Sequence, residues 1–451
     1  MTNGKQALFY ERVIYPLYRI KNGPTYGFKT INILKHLKNT QWLSQDELNS
    51  HQIKKLRRLI KHVYHNIPYY HEIMDKAGLE PKDIRKVEDL RHFPILTKKE
   101  IKDKYHKIVS NGINKRNVVK AVTSGTTGVP LTFYRDMNTC IWTDAALLRG
   151  MSWANYRLGK KIVSFSDLNW PSILGKLRLR LIHAHSFPAF AKEADLLIYM
   201  KKIELLQPFC IQGLASNLYR LAKICQKNGI YDIQIPIIFS SAEMLYDFQR
   251  ELLEKQFNSN VFDNYGCNEI GALAYECECK QKHISDEHVI IETTDSKGNN
   301  VHSIPGEITI TDLDNYAMPF IRYKNGDVGV LGDQQCGCKR HLSLLQSIEG
   351  RSQDFLRALD GNLVPSIFFP GHFRNIKGLE QYQIIQTDIR NITFKFVKNE
   401  FFSEQELEQM IKVIREIIGN AIIINLVECS HIRLTGRGKT RLVISHIPTE
   451  F

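Results

Sequence analysis

Between Val118 and Phe133 a β-branched run leads into Thr123-Ser124-Gly125-Thr126-Thr127-Gly128-Val129-Pro130. Gly125 and Gly128 let a backbone turn tightly and aim N–H groups at an anion, while Ser124, Thr126 and Thr127 add hydroxyl donors, so the segment suits the β- and γ-phosphates of a nucleotide. It carries no lysine. The spacing G-x-x-x-x-G-K-[ST] does not fit, because the two glycines are only three apart and a proline follows, which disfavours a P-loop NTPase. Taken alone, such a loop is equally well an ordinary Ser/Gly/Thr turn.

Four of the nine cysteines cluster around a histidine: Cys277, Cys279 and His283, then Cys336 and Cys338. Three thiolates and an imidazole make a closed, tetrahedral zinc site of structural type. The spacing is looser than paired C-x₂-C, so the pattern leaves zinc and free thiols both open. Cys140, Cys210, Cys225, Cys267 and Cys429 are scattered without pairing rhythm, and the odd total argues against a secreted disulfide framework. Cys267 has no neighbouring histidine to act as base and reads as a packing residue. His183-x-His185 lacks a local carboxylate and reads as a non-metal pair; the basic stretch Lys176 to Arg180 reads as a solvated face.

These groups need elements to hold them. The order strand, loop, strand around residues 118–133 predicts a hairpin bearing the Ser/Gly/Thr loop at its turn. Lys161 to Ser166 and Pro236 to Ser240 are short apolar runs ending in hydroxyl residues, with helical patterns over Asp195 to Leu206 and Leu245 to Phe257, which predicts a layered α/β core with a largely parallel sheet. From Val289 to Val330 the texture is β-rich and broken by Asn299-Asn300, Pro305-Gly306 and Asn325-Gly326, which predicts an antiparallel region. After Gly350 the pattern changes to strands at Tyr382 to Ile385 and Ile392 to Val397, a helix from Ser403 carrying Leu407, Met410, Ile411, Ile414, Ile417 and Ile418, and a strand over Ala421 to Glu428. That β-β-α-β unit is large enough to bury its own core. Upstream, Ser44 to His65 reads as an amphipathic helix with Lys54, Lys55, Arg57, Arg58 and Lys61 on its polar side; a solvated face is favoured over a membrane- or polyanion-binding one.

The chain has 451 residues, 43% hydrophobic and 24% charged, with 27 Gly and 15 Pro, which excludes disordered and collagenous classes. Its net charge of +14 favours anionic partners without choosing among them. No nucleic-acid module accompanies the charge. Met1 to Ile20 has no continuous apolar run of the kind a leader needs, and no stretch reads as membrane-spanning, so a cytoplasmic protein is expected, with peripheral contact to an anionic membrane left open.

Five segments occur in an order that resembles the adenylate-forming enzymes, the acyl-CoA synthetase and luciferase superfamily: the Thr123–Pro130 loop, Tyr265-Gly266-Cys267-Asn268-Glu269, Arg322-Tyr323-Lys324-Asn325-Gly326-Asp327, Gly350-Arg351-Ser352-Gln353-Asp354, and Gly436-Arg437-Gly438-Lys439-Thr440-Arg441. Asn66-Ile67-Pro68-Tyr69-Tyr70, Phe93 to Lys98 and Tyr275-Glu276-Cys277 are similar to the phenylacetate-CoA ligase branch and its capsule-biosynthesis relatives. The resemblance implies a large N-terminal layered α/β domain with mixed sheets, residues 1–350, and a small mobile α+β C-terminal domain, residues 351–451. It implies ATP and Mg²⁺, a small carboxylic acid as substrate, and CoA or another anionic acceptor, with an amine or hydroxyl acceptor and a non-catalytic nucleotide-binding scaffold as alternatives.

Residue by residue, the resemblance assigns Ser124, Gly125, Thr126, Thr127 and Gly128 to the phosphates, Glu269 to Mg²⁺, Asp327 to the ribose hydroxyls, Tyr265 and Ser241-Ala242-Glu243 to the base, and Arg351 to ribose or phosphate at the domain junction. Lys439 becomes the lysine that reaches both the substrate carboxylate and the α-phosphate. Gln353 stands where the family often has Asp or Lys. Zinc-bearing relatives raise the zinc reading for Cys277, His283, Cys336 and Cys338, with Cys277 preferred to Cys279 because it follows Tyr-Glu.

Overall fold

A computed structural model of the chain describes residues 3–114, 117–122, 131–165, 173–188, 192–351, 355–366, 368–373, 376–432 and 442–447. The Ser/Gly/Thr loop, residues 352–354 and the segment carrying Lys439 therefore lie outside the described residues. Strands β1 (Val118–Val122) and β2 (Thr132–Asp136) form the expected antiparallel hairpin flanking the loop.

An eleven-stranded sheet organises most of the chain, and it changes character at one strand. On one side β3 (Ile162–Phe165), β4 (Ala184–Phe187), β5 (Cys210–Leu214), β6 (Ile237–Ser241) and β7 (Asn260–Cys267) pair in parallel in the order β4-β3-β5-β6-β7. These runs are short, apolar and buried, because the helices Glu193–Leu206, Ala215–Lys227 and Asp247–Phe257 return the chain between strands and supply Leu196, Leu218, Leu221 and Leu253 to one core with Val163, Ile211 and Ile238.

Beyond β7 every pairing is antiparallel: β8 (Gly271–Glu276), β9 (Lys282–Ile284), β10 (Val289–Thr294), β11 (Gly306–Asp312), β12 (Tyr323–Gly332) and β13 (Leu344–Arg351) run in the order β7-β8-β9-β13-β12-β11-β10. The parallel texture thus covers only the first half of the sheet, and the antiparallel half begins at β8, before the β-rich region after Val289 that supplies β10 to β13.

The helix Gln45–Asn66 packs Leu56, Leu59, Ile60 and Val63 against that antiparallel half. Ser44 caps it, accepting from the Glu47 N–H while the Glu47 carboxylate takes the Ser44 N–H, and Pro68 opens the next helix, Pro68–Lys76. Its polar side is not uniformly solvated. Lys55 reaches inward to Asp314 at 2.5 Å and to the Glu287 carbonyl at 2.6 Å, and Arg57 bonds the carbonyl of Ile84.

Past β13 come a two-stranded ribbon, β14 (Phe355–Arg357) and β15 (Leu363–Pro365), and a four-stranded sheet of β16 (Leu379–Gln386), β17 (Asn391–Lys398), β18 (Ile423–Glu428) and β19 (Val443–Ser445) in the order β18-β17-β16-β19. The helix Glu404–Ile418, capped by Ser403, lays Met410, Ile414 and Ile418 on Ile384, Ile392 and Phe394. The apolar positions at three- and four-residue spacing require this packing, and the unit has a core of its own.

Candidate functional site

In a sheet with parallel strands, open ground for a ligand lies beyond their carboxyl ends where strand direction changes. Here that place is the end of β6 and β7, with Ser241 paired to Asn264. Gly266 is required at the bend: a Cβ there would stand 2.4 Å from the Gly271 carbonyl oxygen of β8. The tight β7–β8 return delivers Tyr265 and Glu269 to the same edge that β12 reaches with Tyr323, Asn325 and Asp327.

These side chains form one network. The Tyr265 hydroxyl donates to Asp327 Oδ2 at 2.8 Å, and the Asn325 amide donates to both the Tyr265 hydroxyl and Asp327 Oδ2 at 2.8 Å. Asp327 Oδ1 faces Arg351 Nε at 3.4 Å, since the two residues are register partners across β12 and β13. The Tyr323 hydroxyl donates to Glu269 Oε1 at 2.8 Å, and Lys98 Nζ lies 3.5 Å from the same oxygen. Burial, reinforced by Asp327, pushes the Tyr265 hydroxyl well above its ordinary pKa, and burial reinforced by Glu269 does the same to Tyr323. Both are fixed neutral donors. The result is two carboxylates, each oriented by a phenol and each beside one cation.

The structure therefore brings together Tyr265, Glu269, Asp327 and Arg351. Ser241 ends β6 nearby, and Ala242 takes a left-handed φ of 64°, turning the chain sharply. Glu243 follows, and its Oε2 accepts the Ser216 N–H at 3.0 Å, capping the helix after β5. Ser124, Gly125, Thr126, Thr127, Gly128 and Lys439 lie outside the described residues.

Lys98 and Asn325 carry roles that sequence reading did not assign. Lys98 is placed by a local device: Leu96 bridges to the start of β12, its N–H donating to the Arg322 carbonyl at 2.9 Å and its carbonyl accepting the Lys324 N–H at 3.0 Å. Thr97 then caps a short helix with Glu100, leaving Lys98 at its first turn beside Glu269. Arg322, first of the Arg-Tyr segment, is a buried clamp, bonding Glu292 at 3.2 Å and the carbonyls of Phe93 and Gly298. Cys267 is partly buried and packs against the core, and loss of solvation pushes its thiol pKa up.

The cysteine cluster converges. The ligand atoms of Cys277, His283, Cys336 and Cys338 all lie within 4.8 Å of one another. Cys277 Sγ is 3.5 Å from Cys336 Sγ, and Cys338 Sγ is 3.2 Å from His283 Nε2, separations that suit a tetrahedral ion with metal–ligand bonds of about 2.0–2.3 Å. Two similar turns present the first cysteine of each pair: the Cys277 carbonyl accepts the Lys280 N–H at 2.9 Å and the Cys336 carbonyl the Lys339 N–H at 3.0 Å, with Lys280 and Lys339 both left-handed at φ 59° and 65°. His283 Nδ1 is 3.3 Å from the Leu342 carbonyl, the outer contact that fixes a ligating ring with Nε2 inward. Cys279 is exposed and outside this set. By contrast, His183 bonds the Tyr10 hydroxyl at 2.9 Å and the Gly159 carbonyl at 2.8 Å, a structural role.

Comparison with known proteins follows the same outline. Residues 356–446 match the family described as the CapK C-terminal domain. The chain is 28% identical over 342 residues to a phenylacetate-coenzyme A ligase of Pseudomonas putida, covering 72% of this chain and 75% of the relative. It is 26% identical over 416 residues to protein CapK of Staphylococcus aureus, covering 88% and 89%. Among solved structures, a 2-hydroxyisobutyryl-CoA ligase in the postadenylation state superposes with a TM-score of 0.73 at 16% identity, covering 90% of each chain. The chain is related to the phenylacetate-CoA ligases and to CapK, and it shares the fold of that CoA ligase structure, a large sheet-rich unit followed by a small α+β one.

Proposed function

We propose that the protein is an ATP-dependent adenylate-forming ligase that activates a small carboxylic acid and passes the acyl group to a nucleophile, with CoA the leading acceptor. The observation that carries this reading is the Tyr265–Asn325–Asp327–Arg351 network beside the Glu269–Tyr323–Lys98 network at the carboxyl ends of the parallel strands. A carboxylate held rigid by a phenol and an amide is a preorganised acceptor for a vicinal diol, so Asp327 receives the ribose hydroxyls and Arg351 stands where ribose or α-phosphate charge arrives. Tyr265 packs beside the base, with Ser241 and Ala242 at the end of β6. Glu269 supplies the hard oxygen ligand a Mg²⁺ ion takes, and Mg²⁺ when bound neutralises phosphate charge. Ser124, Thr126 and Thr127, with the backbone at Gly125 and Gly128, hold the leaving pyrophosphate, and Lys439 stabilises charge passing from the acid to the α-phosphate.

Chemically the carboxylate oxygen attacks the α-phosphorus, the bond to pyrophosphate breaks, and an acyl-adenylate forms. An acceptor then displaces AMP from the acyl carbon. We assign residues 1–350 to the adenylating domain and 351–451 to the mobile one, place the protein in the cytoplasm, and assign a structural zinc to Cys277, His283, Cys336 and Cys338. The alternative for the transfer step is an amine or hydroxyl acceptor on a polysaccharide precursor, which the resemblance to capsule-biosynthesis relatives implies.

A panel of carboxylic acids scored by pyrophosphate release, with and without CoA, tests both. Acid-dependent release with thioester formation supports the first reading. Acid-dependent release without thioester supports the second. ATP–pyrophosphate exchange absent with every acid overturns both in favour of a non-catalytic nucleotide-binding protein.

A further inference from the structure

The N-terminal helix presents an apolar stripe to the outside. Residues 3–22 run as one helical stretch, Asn3–Phe9, a π turn over Tyr10–Ile14, Tyr15–Arg19 and a last turn Ile20–Asn22. A π turn advances less per residue than an α turn, so four-residue spacing returns to one face. Phe9, Val13, Leu17 and Ile20 occupy that face and are 46%, 41%, 51% and 51% exposed. The opposite face is anchored: Tyr15 and Tyr18 are buried, Arg19 pairs with Asp144, and the Tyr26 hydroxyl donates to Asp144 at 2.8 Å. The stripe is thus held in place by the rest of the fold. Beside it the helix Ile173–Leu181 packs on Tyr15–Arg19 and adds exposed Leu177 and Leu181, and Phe28 is 54% exposed at the start of the next helix. Apolar patches of this kind on a folded protein mark a surface that something covers.

Charge selects what covers it. Residues 1–43 hold seven Lys or Arg and one carboxylate, and residues 173–181 hold three and none. That carboxylate, Glu11, is partly buried near Lys38 at 3.9 Å, while Arg12, Lys29 and Arg180 are exposed and stand next in sequence to the exposed Val13, Phe28 and Leu181. A second copy of the chain would bring this positive surface against itself in a two-fold contact, which like charge opposes. An apolar stripe bordered by basic side chains, with aromatics among the apolar groups, suits the headgroup boundary of an anionic bilayer.

We propose that this face docks on an anionic lipid surface, seating Phe9, Val13, Leu17 and Ile20 among the acyl chains while Arg12, Lys29 and Arg180 meet lipid phosphates. The site differs from the basic side of the helix Gln45–Asn66, where Lys55 turns inward, and it does not rest on the ligase reading. Cosedimentation of the full chain with vesicles of phosphatidylcholine alone, and of phosphatidylcholine and phosphatidylglycerol in equal parts, tests it. Binding is expected to be at least about tenfold stronger to the anionic vesicles and to weaken with salt. The double variant Phe9→Glu/Leu17→Glu should lose about tenfold or more of it with its melting temperature unchanged, whereas Leu205→Glu, at an 84% exposed position elsewhere, should bind like the parent. Arg12→Ala/Lys29→Ala, which leaves the stripe intact, should weaken binding to anionic vesicles alone. No binding by the parent, equal binding to both vesicles, or binding indifferent to these variants overturns the proposal. So does a dimer in sedimentation velocity that Phe9→Glu/Leu17→Glu dissolves, which would make a second copy the occupant.

Discussion

Lys98 Nζ stands 3.5 Å from Glu269 Oε1, and the Tyr323 hydroxyl donates to that same oxygen. One face of the Glu269 carboxylate is thereby occupied before any ligand arrives, and an ammonium is left within reach of whatever the carboxylate holds. If the site takes magnesium and polyphosphate as proposed, such a cation neutralises charge that develops as pyrophosphate leaves. Lys98→Ala is expected to lower kcat/KM for pyrophosphate release by about tenfold or more, mainly through kcat, with Lys98→Arg recovering part of it. Unchanged exchange kinetics in the alanine variant would remove Lys98 from the chemistry.

Asp327 gives a prediction with its own control. Its Oδ2 is saturated by Tyr265 and Asn325, so the carboxylate cannot swing away, and the ribose diol is the partner proposed for its other oxygen. Asp327→Ala should raise the KM for ATP by about tenfold to a hundredfold, the range for a lost hydrogen bond to a charged group. ATP lacking both ribose hydroxyls should be poor for the parent and no worse for the variant. Equal further loss in the variant would mean that Asp327 acts through Tyr265 alone.

The contrast between Lys98 and Asp327 shows what a single sequence can carry. Asp327, Glu269 and Tyr265 are singled out through the resemblance of their short segments, and the structure adds how those segments are held: Gly266 admits the close approach of β8, and Asn325 braces the aspartate two residues on. The alternation of apolar strands and helices likewise announces the layered core, and Ser403 with its apolar series announces the C-terminal helix. Lys98 is not legible, because its position depends on a bridge between Leu96 and Tyr323, distant in sequence. Nor is the inward turn of Lys55, since a lysine on a polar helix face reads as solvated until Asp314 is placed opposite it. The capping role of Glu243 is hidden for the same reason: one of its carboxylate oxygens meets the N-terminus of the helix after β5, a segment distant in sequence.

Asp286 links the fold to pH. Burial, with Glu287 adjacent, raises its carboxyl to about 7, although the Ser343 N–H at 2.6 Å and Arg149 oppose the shift. The folded protein therefore keeps a proton that the unfolded chain, with an ordinary Asp value near 3.8, releases. Below about pH 4 both states hold it and there is no effect; between about 4 and 7 the folded state alone holds it, and stability falls as pH rises; above about 7 the loss is complete and constant. The loss at neutral pH is on the order of a few kcal/mol. Asp286→Asn imitates the protonated form, so denaturant titrations should show a stability gain over the parent that is near zero at pH 4 and grows towards pH 7. A pH-independent difference would assign Asp286 no shifted titration.

The cysteine cluster supports the last prediction. Cys277 and Cys336 sit on matching turns, each closed by a left-handed lysine, and the two turns belong to segments joined only through β10 to β12 and their connections. An ion held by Cys277, His283, Cys336 and Cys338 would close that long loop with four bonds, and because an unfolded chain offers no such preformed set, the binding energy would act as folding energy. Metal analysis of protein purified with its thiols reduced should give one zinc per chain. Cys336→Ser should lose it and lower the melting temperature by several degrees or more, while Cys279→Ser should keep both the metal and the parent's stability, since that thiol is exposed and outside the set. The nearest ligand, Cys277, follows β8, and β8 pairs with β7, which carries Tyr265, across the turn that holds Glu269. Mild chelation should therefore lower stability first and adenylation only as β8 loosens. Reduced protein that contains no zinc, or a Cys279→Ser variant that loses it, would refute this ligand set.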